Sequence, residues 1–179
     1  ETTGGITQYY TYDPFGRLIS KRNPYSGKKN TSYDEEGNVA EVNDGEKSIR
    51  YSYDLLGHVT SKTVEDEKVY NYSYNSYGEL CSVANENGVL TKEISYDKFH
   101  RIESVKEYNS GNELIRTFSY KDGQVNSIKY QSNNGLDITE NYVYQNGILT
   151  EINVNDEKVA WHLDGEDENG RASQYSALG

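Results

Sequence analysis

Methionine is absent from this 179-residue chain, and phenylalanine, proline, tryptophan and cysteine number only three, two, one and one. Hydrophobic residues, tyrosine included, make up 34% of the sequence, and the mean hydropathy is -0.93. A large dry core is excluded by that composition. No apolar run approaches the roughly 18 residues of a membrane-spanning helix. The lone Cys81 rules out an intrachain disulfide. Three isolated histidines, His58, His100 and His162, lack the paired spacing of metal ligands. Basic residues are also scarce: 18 against 29 acidic ones leave a formal charge of -11, which disfavours nucleic acid and anionic membranes as partners.

Tyrosine fills the gap, with 18 copies in a chain that is 12% aromatic. So polar a chain would suggest disorder, but disordered chains are poor in aromatics. A tyrosine ring covers a sheet while its hydroxyl stays wet, and the residue favours strands. The expected fold class is all-β.

The tyrosines recur in register. The long copies are "YTYDPFGRL" (10–18), "TSYDEEGNV" (31–39), "YSYDLLGHV" (51–59), "YSYNSYGEL" (72–80) and "ISYDKFHRI" (94–102). Two shorter ones follow, "FSYKDGQV" (118–125) and "YVYQNGIL" (142–149). Their anchors, Tyr12, Tyr33, Tyr53, Tyr74, Tyr96, Tyr120 and Tyr144, stand 20 to 24 residues apart, a period that marks a repeat architecture.

Each copy reads as a β-hairpin. In the long copies Asp13, Asp34, Asp54 or Asp97 (Asn in the fourth) opens a loop that closes on Gly16, Gly37, Gly57 or Gly78. That pattern suits a type I turn followed by a left-handed glycine. It sets Tyr12 opposite Leu18, Tyr33 opposite Val39, Tyr53 opposite Val59, Tyr74 opposite Leu80 and Tyr96 opposite Ile102. The short copies lose one loop residue, which would flip every following side chain. Their Asp122-Gly123 and Asn146-Gly147 dipeptides favour two-residue type I′ turns, so Tyr120 still faces Val125 and Tyr144 still faces Leu149. His100 stands where the other long copies have glycine, so its bulge is strained or its loop differs.

Return turns are expected at Ser26-Gly27, Asp44-Gly45, Asn87-Gly88, Ser110-Gly111 and Asn134-Gly135, and at "VEDEKV" and "VNDEKV". Two turns per repeat give roughly 14 to 16 short strands in an antiparallel meander. In five of the seven copies a second apolar residue follows the aliphatic partner three positions on, as Val42 follows Val39 and Val83 follows Leu80. On a flat strand that offset reaches the opposite face. Either both faces are partly covered or a bulge re-aims the second residue.

Chemical motifs are sparse. "DGEDENG" (164–170) is rich in oxygen ligands, but Asn169 and Tyr175 occupy positions where an EF-hand needs Gly and Glu, so a solvated loop is expected. No nucleophile elbow, Walker loop, dinucleotide fingerprint or paired-cysteine zinc pattern is present. The expectation is a non-enzyme with no catalytic residues, no metal site and no cofactor.

The unit Tyr-x-Tyr-Asp-x-x-Gly-Arg-Leu, nearly ideal in "YTYDPFGRL", resembles the YD repeat of the RHS proteins. The resemblance runs from about residue 9 to 152, and 153–179 reads as a degenerate terminal repeat or capping tail of one array covering 1–179. The family includes bacterial polymorphic toxins, wall-associated proteins, insecticidal toxin complexes and the animal teneurins. What the resemblance implies is an antiparallel ribbon that forms a curved strip or partial shell, enclosing or presenting a toxin domain in a secreted or cell-surface protein. The aspartate-based self-cleaving segment of some such shells has no counterpart here. The implied partners are further repeats or domains of the parent chain, with edge-to-edge self-association or coverage of an edge by the tail from Val159. The alternative is a carbohydrate- or cell-wall-binding module using exposed aromatics, with Trp161 and Tyr175 as candidate glycan contacts. Anchors buried against neighbouring repeats favour the scaffold, and anchors exposed in a row favour the binder.

Overall fold

The computed structural model describes residues 2–3, 6–25, 27–166 and 172–176, with side chains described over 7–25 and 27–157. All regular structure in these residues is β, and no helix occurs among them. The chain divides into two compact units, Glu1–Leu90 and Thr91–Gly179.

In the first unit a short pair, β1 (Thr2–Thr3) and β2 (Ile6–Thr7), precedes an antiparallel ladder. Its strands are β3 (Tyr9–Tyr12), β4 (Leu18–Asn23), β5 (Gly27–Tyr33), β6 (Val39–Asn43), β7 (Ser48–Tyr53), β8 (Val59–Val64), β9 (Lys68–Tyr74) and β10 (Leu80–Asn85). The second unit holds β11 (Leu90–Tyr96), β12 (Ile102–Asn109), β13 (Asn112–Lys121), β14 (Gln124–Ser132), β15 (Asp137–Gln145), β16 (Ile148–Val154), β17 (Glu157–Glu166) and β18 (Ala172–Ser176). From β3 to β10 and from β11 to β18 each strand pairs with its successor, because the connections are too short to skip a neighbour. The tail therefore adds strands instead of covering an edge: β17 pairs with β16, and β18 with β17.

Loop chemistry fixes the register. In the first hairpin the Asp13 amide donates to the Arg17 carbonyl at 2.9 Å, and the Gly16 amide to the Asp13 carbonyl at 3.0 Å. Asp13 Oδ1 accepts from the Phe15 and Arg17 amides, both at 2.9 Å. Gly16 takes φ 80°, a conformation that is cheap only for glycine. The ladder then sets Tyr12 opposite Leu18. Equivalent pairs form at Tyr33–Val39, Tyr53–Val59, Tyr74–Leu80 and Tyr96–Ile102. The two-residue loops place Asp122 at φ 52° and Asn146 at φ 51°, each followed by a glycine near φ 80°, and Tyr120–Val125 and Tyr144–Leu149 pair as well.

His100 keeps the long-loop geometry. Its amide donates to the Asp97 carbonyl at 3.0 Å while φ stands at 62°, so of the two expected outcomes it is the strained backbone, not a different loop, that occurs. Two return turns begin earlier than their Asn-Gly dipeptides suggest. Asn85 and Ser132 head loops of the same five-residue design, closing on Gly88 and Gly135. "VEDEKV" turns with Glu65 and Asp66 both at positive φ, and "VNDEKV" does the same with Asn155 and Asp156.

A bulge follows every aliphatic partner and settles the three-residue offset. In the second hairpin Tyr33 faces Val39, Ser32 faces Glu41 and Thr31 faces Val42, leaving Ala40 unpaired. Val39 and Val42 consequently share one face. Cys81, Glu103, Asn126 and Thr150 occupy the equivalent bulges before Val83, Val105, Ile128 and Ile152. One face thus collects tyrosines and aliphatics, while the other carries rows such as Ser52–Ser61, Ser95–Ser104 and Ser119–Ser127. Hydroxyls of the last two pairs meet at 2.8 and 2.7 Å. Among the described side chains only Val105 and Thr150 are buried, so packing is spread thinly along the sheet.

Candidate functional site

The joint between successive hairpins is the chemically specific feature of this chain. It is built from three residues supplied by two hairpins. At four of these joints the anchor tyrosine of the later hairpin sits at the end of its leading strand, beside the aliphatic residue that starts the previous hairpin's trailing strand. Tyr33 Oη donates to the Leu18 carbonyl at 3.0 Å, Tyr53 to Val39 at 2.9 Å, Tyr74 to Val59 at 2.9 Å and Tyr120 to Ile102 at 2.8 Å. Each such bond contributes on the order of 1 kcal/mol. Burial of the rings raises the pKa of Tyr53, Tyr74 and Tyr120, so their hydroxyls stay protonated and able to donate.

The residue after the positive-φ loop position, Gly16, Gly57 or His100, completes the joint. Arg17 lies 4.4 Å over the Tyr33 ring and holds Asp13 Oδ2 through Nε at 2.7 Å. Arg101 lies 4.1 Å over Tyr120 and binds Asp97 Oδ2 at 2.8 and 2.6 Å. His58 stacks on Tyr74 with centroids 4.8 Å apart and meets Asp54 Oδ2 through Nδ1 at 2.9 Å. One side chain therefore closes its own loop and caps the next anchor. In the fourth hairpin the polarity is reversed, with the Asn75 amide donating to Glu79 at 2.6 Å.

The loop carboxylates are held below the usual Asp range. For Asp54 the leading cause is the hydrogen bond from the His58 side chain; desolvation works upward, and the His58 and Leu56 amides add to the lowering. For Asp13 and Asp97 desolvation is the largest single influence and works upward, but the backbone and side-chain bonds from Arg17 and Arg101 together overcome it.

The structure brings four of the seven anchors named from sequence into these joints. Tyr33, Tyr53, Tyr74 and Tyr120 are half-buried and bonded to the preceding hairpin, whereas Tyr12 is 56% exposed. The side chains of Trp161 and Tyr175 and most of the 164–170 segment lie outside the described residues. No group of three potential metal ligands occurs among the described residues. Sequence reasoning missed the double role of Arg17, His58 and Arg101. The Gly-Arg-Leu spacing carried the signal, but an arginine can face its own aspartate without touching the next repeat.

A chain of hairpins locked edge to edge through a repeated Asp–Arg–Tyr joint is a β-repeat protein. Residues 12–49 match the RHS Repeat family. No curated protein sequence matches it. Its fold is similar to that of the solved structure TcdB2-TccC3-TEV, at TM-score 0.62 and 13% identity over 97% of this chain and 12% of that one. TcdB2-TccC3-Cdc42 gives a TM-score of 0.55 at 13% identity over the same shares. TcdB2-TccC3 without its hypervariable C-terminal region gives 0.54 at 15% identity, covering 83% of this chain and 10% of that one. The chain thus spans about an eighth of the length of the solved chains it resembles.

Proposed function

We infer that this chain is a non-catalytic wall segment of a larger RHS shell, one that encloses or presents a toxin domain of a secreted or cell-surface protein. The observation that carries the reading is the joint: the hydroxyls of Tyr33, Tyr53, Tyr74 and Tyr120, four of the seven anchors, are engaged by the preceding repeat instead of being presented to a ligand. The fold shared with TcdB2-TccC3-TEV over 97% of the chain supports the same reading. Further repeats of the parent are the natural partners, since β3 has one ladder neighbour, β4, among the described residues.

Protease protection of the parent protein tests enclosure. With the joints intact, the domain beyond the shell resists cleavage, and Tyr53→Ala combined with Tyr74→Ala exposes it. Equal cleavage in both proteins overturns enclosure. A glycan array run on the chain beside Trp161→Ala tests the carbohydrate alternative. Saturable binding lost in the variant overturns the purely structural reading.

A further inference from the structure

Three successive joints in the first unit differ in one respect. At the first, Arg17 covers the Tyr33 ring and reaches the next loop, where a methyl built on Gly37 would lie 3.4 Å from Arg17 Nη1. At the third, His58 covers Tyr74, and a methyl on Gly78 would lie 2.8 Å from His58 Nε2. At the second, the equivalent residue is Asn38. Its short side chain stops at Asp34 Oδ2, 3.1 Å away, and a methyl on Gly57 would meet nothing within 4 Å.

The space beside Gly57 is an open cleft. Asp34, Glu36, Asp54, Tyr51, Tyr53 and Gly57 line it, with Leu55 and Leu56 at the rim. The Tyr51 and Tyr53 rings lie 6.5 Å apart and tilted by 36°, so two aromatic rings line the cleft. Three carboxylates around those rings favour a cation, and the other joints show which one fits. At Tyr33 and Tyr120 it is the flat guanidinium of an arginine, which stacks on the ring and bonds a carboxylate together.

We propose that the cleft between the second and third hairpins binds an arginine side chain of a partner polypeptide, whose guanidinium fills the place that Arg17 fills one repeat earlier. The guanidinium stacks on Tyr53 beside Gly57 and bonds the carboxylates of Asp34 and Glu36. The net charge of -11 draws a basic partner toward it. This goes beyond a wall segment, because it gives one joint a binding role that its neighbours satisfy internally.

The test is an NMR titration of the intact chain with acetyl-Gly-Arg-Gly-amide, following the ring protons of Tyr51 and Tyr53. Acetyl-Gly-Lys-Gly-amide serves as the comparison, and Asn38→Arg as the variant. The expected dissociation constant for the arginine peptide is about 1 to 10 mM, weakening with salt, and the lysine peptide binds several-fold more weakly. Asn38→Arg fills the cleft from within. It is expected to shift the Tyr53 ring as the bound peptide does and to weaken peptide binding about tenfold or more. Unmoved Tyr53 resonances at saturating peptide, undiminished affinity in Asn38→Arg, or equal binding of the lysine peptide would each overturn the proposal.

Discussion

The guanidinium of Arg101 lies 4.1 Å above the ring of Tyr120 and at the same time binds the carboxylate of Asp97. Arg101 belongs to one hairpin and Tyr120 to the next, so a single side chain ties the loop of one repeat to the anchor of its successor. A double-mutant cycle of Arg101→Gln and Tyr120→Leu should return a coupling of about 0.5 to 1 kcal/mol. Arg101→Lys should lose most of it despite keeping the charge, because an ammonium cannot stack and fork together. Full retention in the lysine variant, read by urea denaturation, would reduce the contact to simple charge attraction.

Tyr53→Phe removes only the hydroxyl that donates to Val39. Tyr53 is half-buried and Val39 keeps access to water, so the expected loss is about 1 kcal/mol. Native-state hydrogen exchange should show faster opening in the second and third hairpins, with the first hairpin little changed. Uniform acceleration throughout the first unit would mean that the unit opens as a whole instead of joint by joint.

His100→Gly relieves a side chain held at φ 62°. Glycine enters that region freely, so the variant should gain about 1 kcal/mol and rise in Tm. A loss of stability would show that the imidazole contributes more than the strain costs.

Acid should loosen the long loops. The pKa values of Asp13, Asp54 and Asp97 are lower in the folded chain than in the unfolded one, where 3.8 is the reference. Their contribution is therefore complete above that reference and drains away as pH falls through the folded values. Between neutrality and the pI near 4.7 the falling net charge relieves self-repulsion, so stability should hold before it drops. Circular dichroism across pH 2 to 7 should show a flat or rising plateau and then a loss below about pH 4. A steady decline from pH 7 would contradict this.

Alkali should act on the tyrosines. Tyr108 donates to Glu93, a bond that pushes its hydroxyl up to about 12, and burial raises Tyr53, Tyr72, Tyr74 and Tyr120. A raised folded value gives stability that is complete below the unfolded pKa near 10 and is lost as pH rises through the folded one. Ultraviolet titration should show these hydroxyls ionising late and together with loss of the β signal. Ionisation of all tyrosines near pH 10 with the fold intact would show that the hydroxyl bonds do little.

Hairpin number, loop type and the facing of Tyr12 with Leu18 or Tyr120 with Val125 were legible in the sequence because they depend on neighbouring residues. Turn geometry is set by Asp, Gly and Asn within a few positions, and register follows from turn geometry. The bulges at Ala40 and Cys81 were half visible, as a three-residue offset that admitted two explanations. Arg17 over Tyr33 was not visible. That contact joins side chains in different repeats, and only the lateral placement of two hairpins decides whether an arginine turns inward to its aspartate, outward to the next ring, or both. The open place beside Asn38 escaped for the same reason, since a missing neighbour is recognised only when the adjoining joints are seen filled.

The hydroxyl-to-carbonyl bond between hairpins also has a direction. Every donor lies on a leading strand and every acceptor on the trailing strand before it, as with Tyr53 and Val39. A hairpin inserted backwards would bring donor to donor and leave carbonyls without tyrosines. Duplication or deletion of one complete hairpin leaves the junction chemistry intact, whereas a break in the middle of one does not. The chain can therefore lengthen or shorten in whole hairpins, like links added to one end of a zip, and its joints enforce the reading direction.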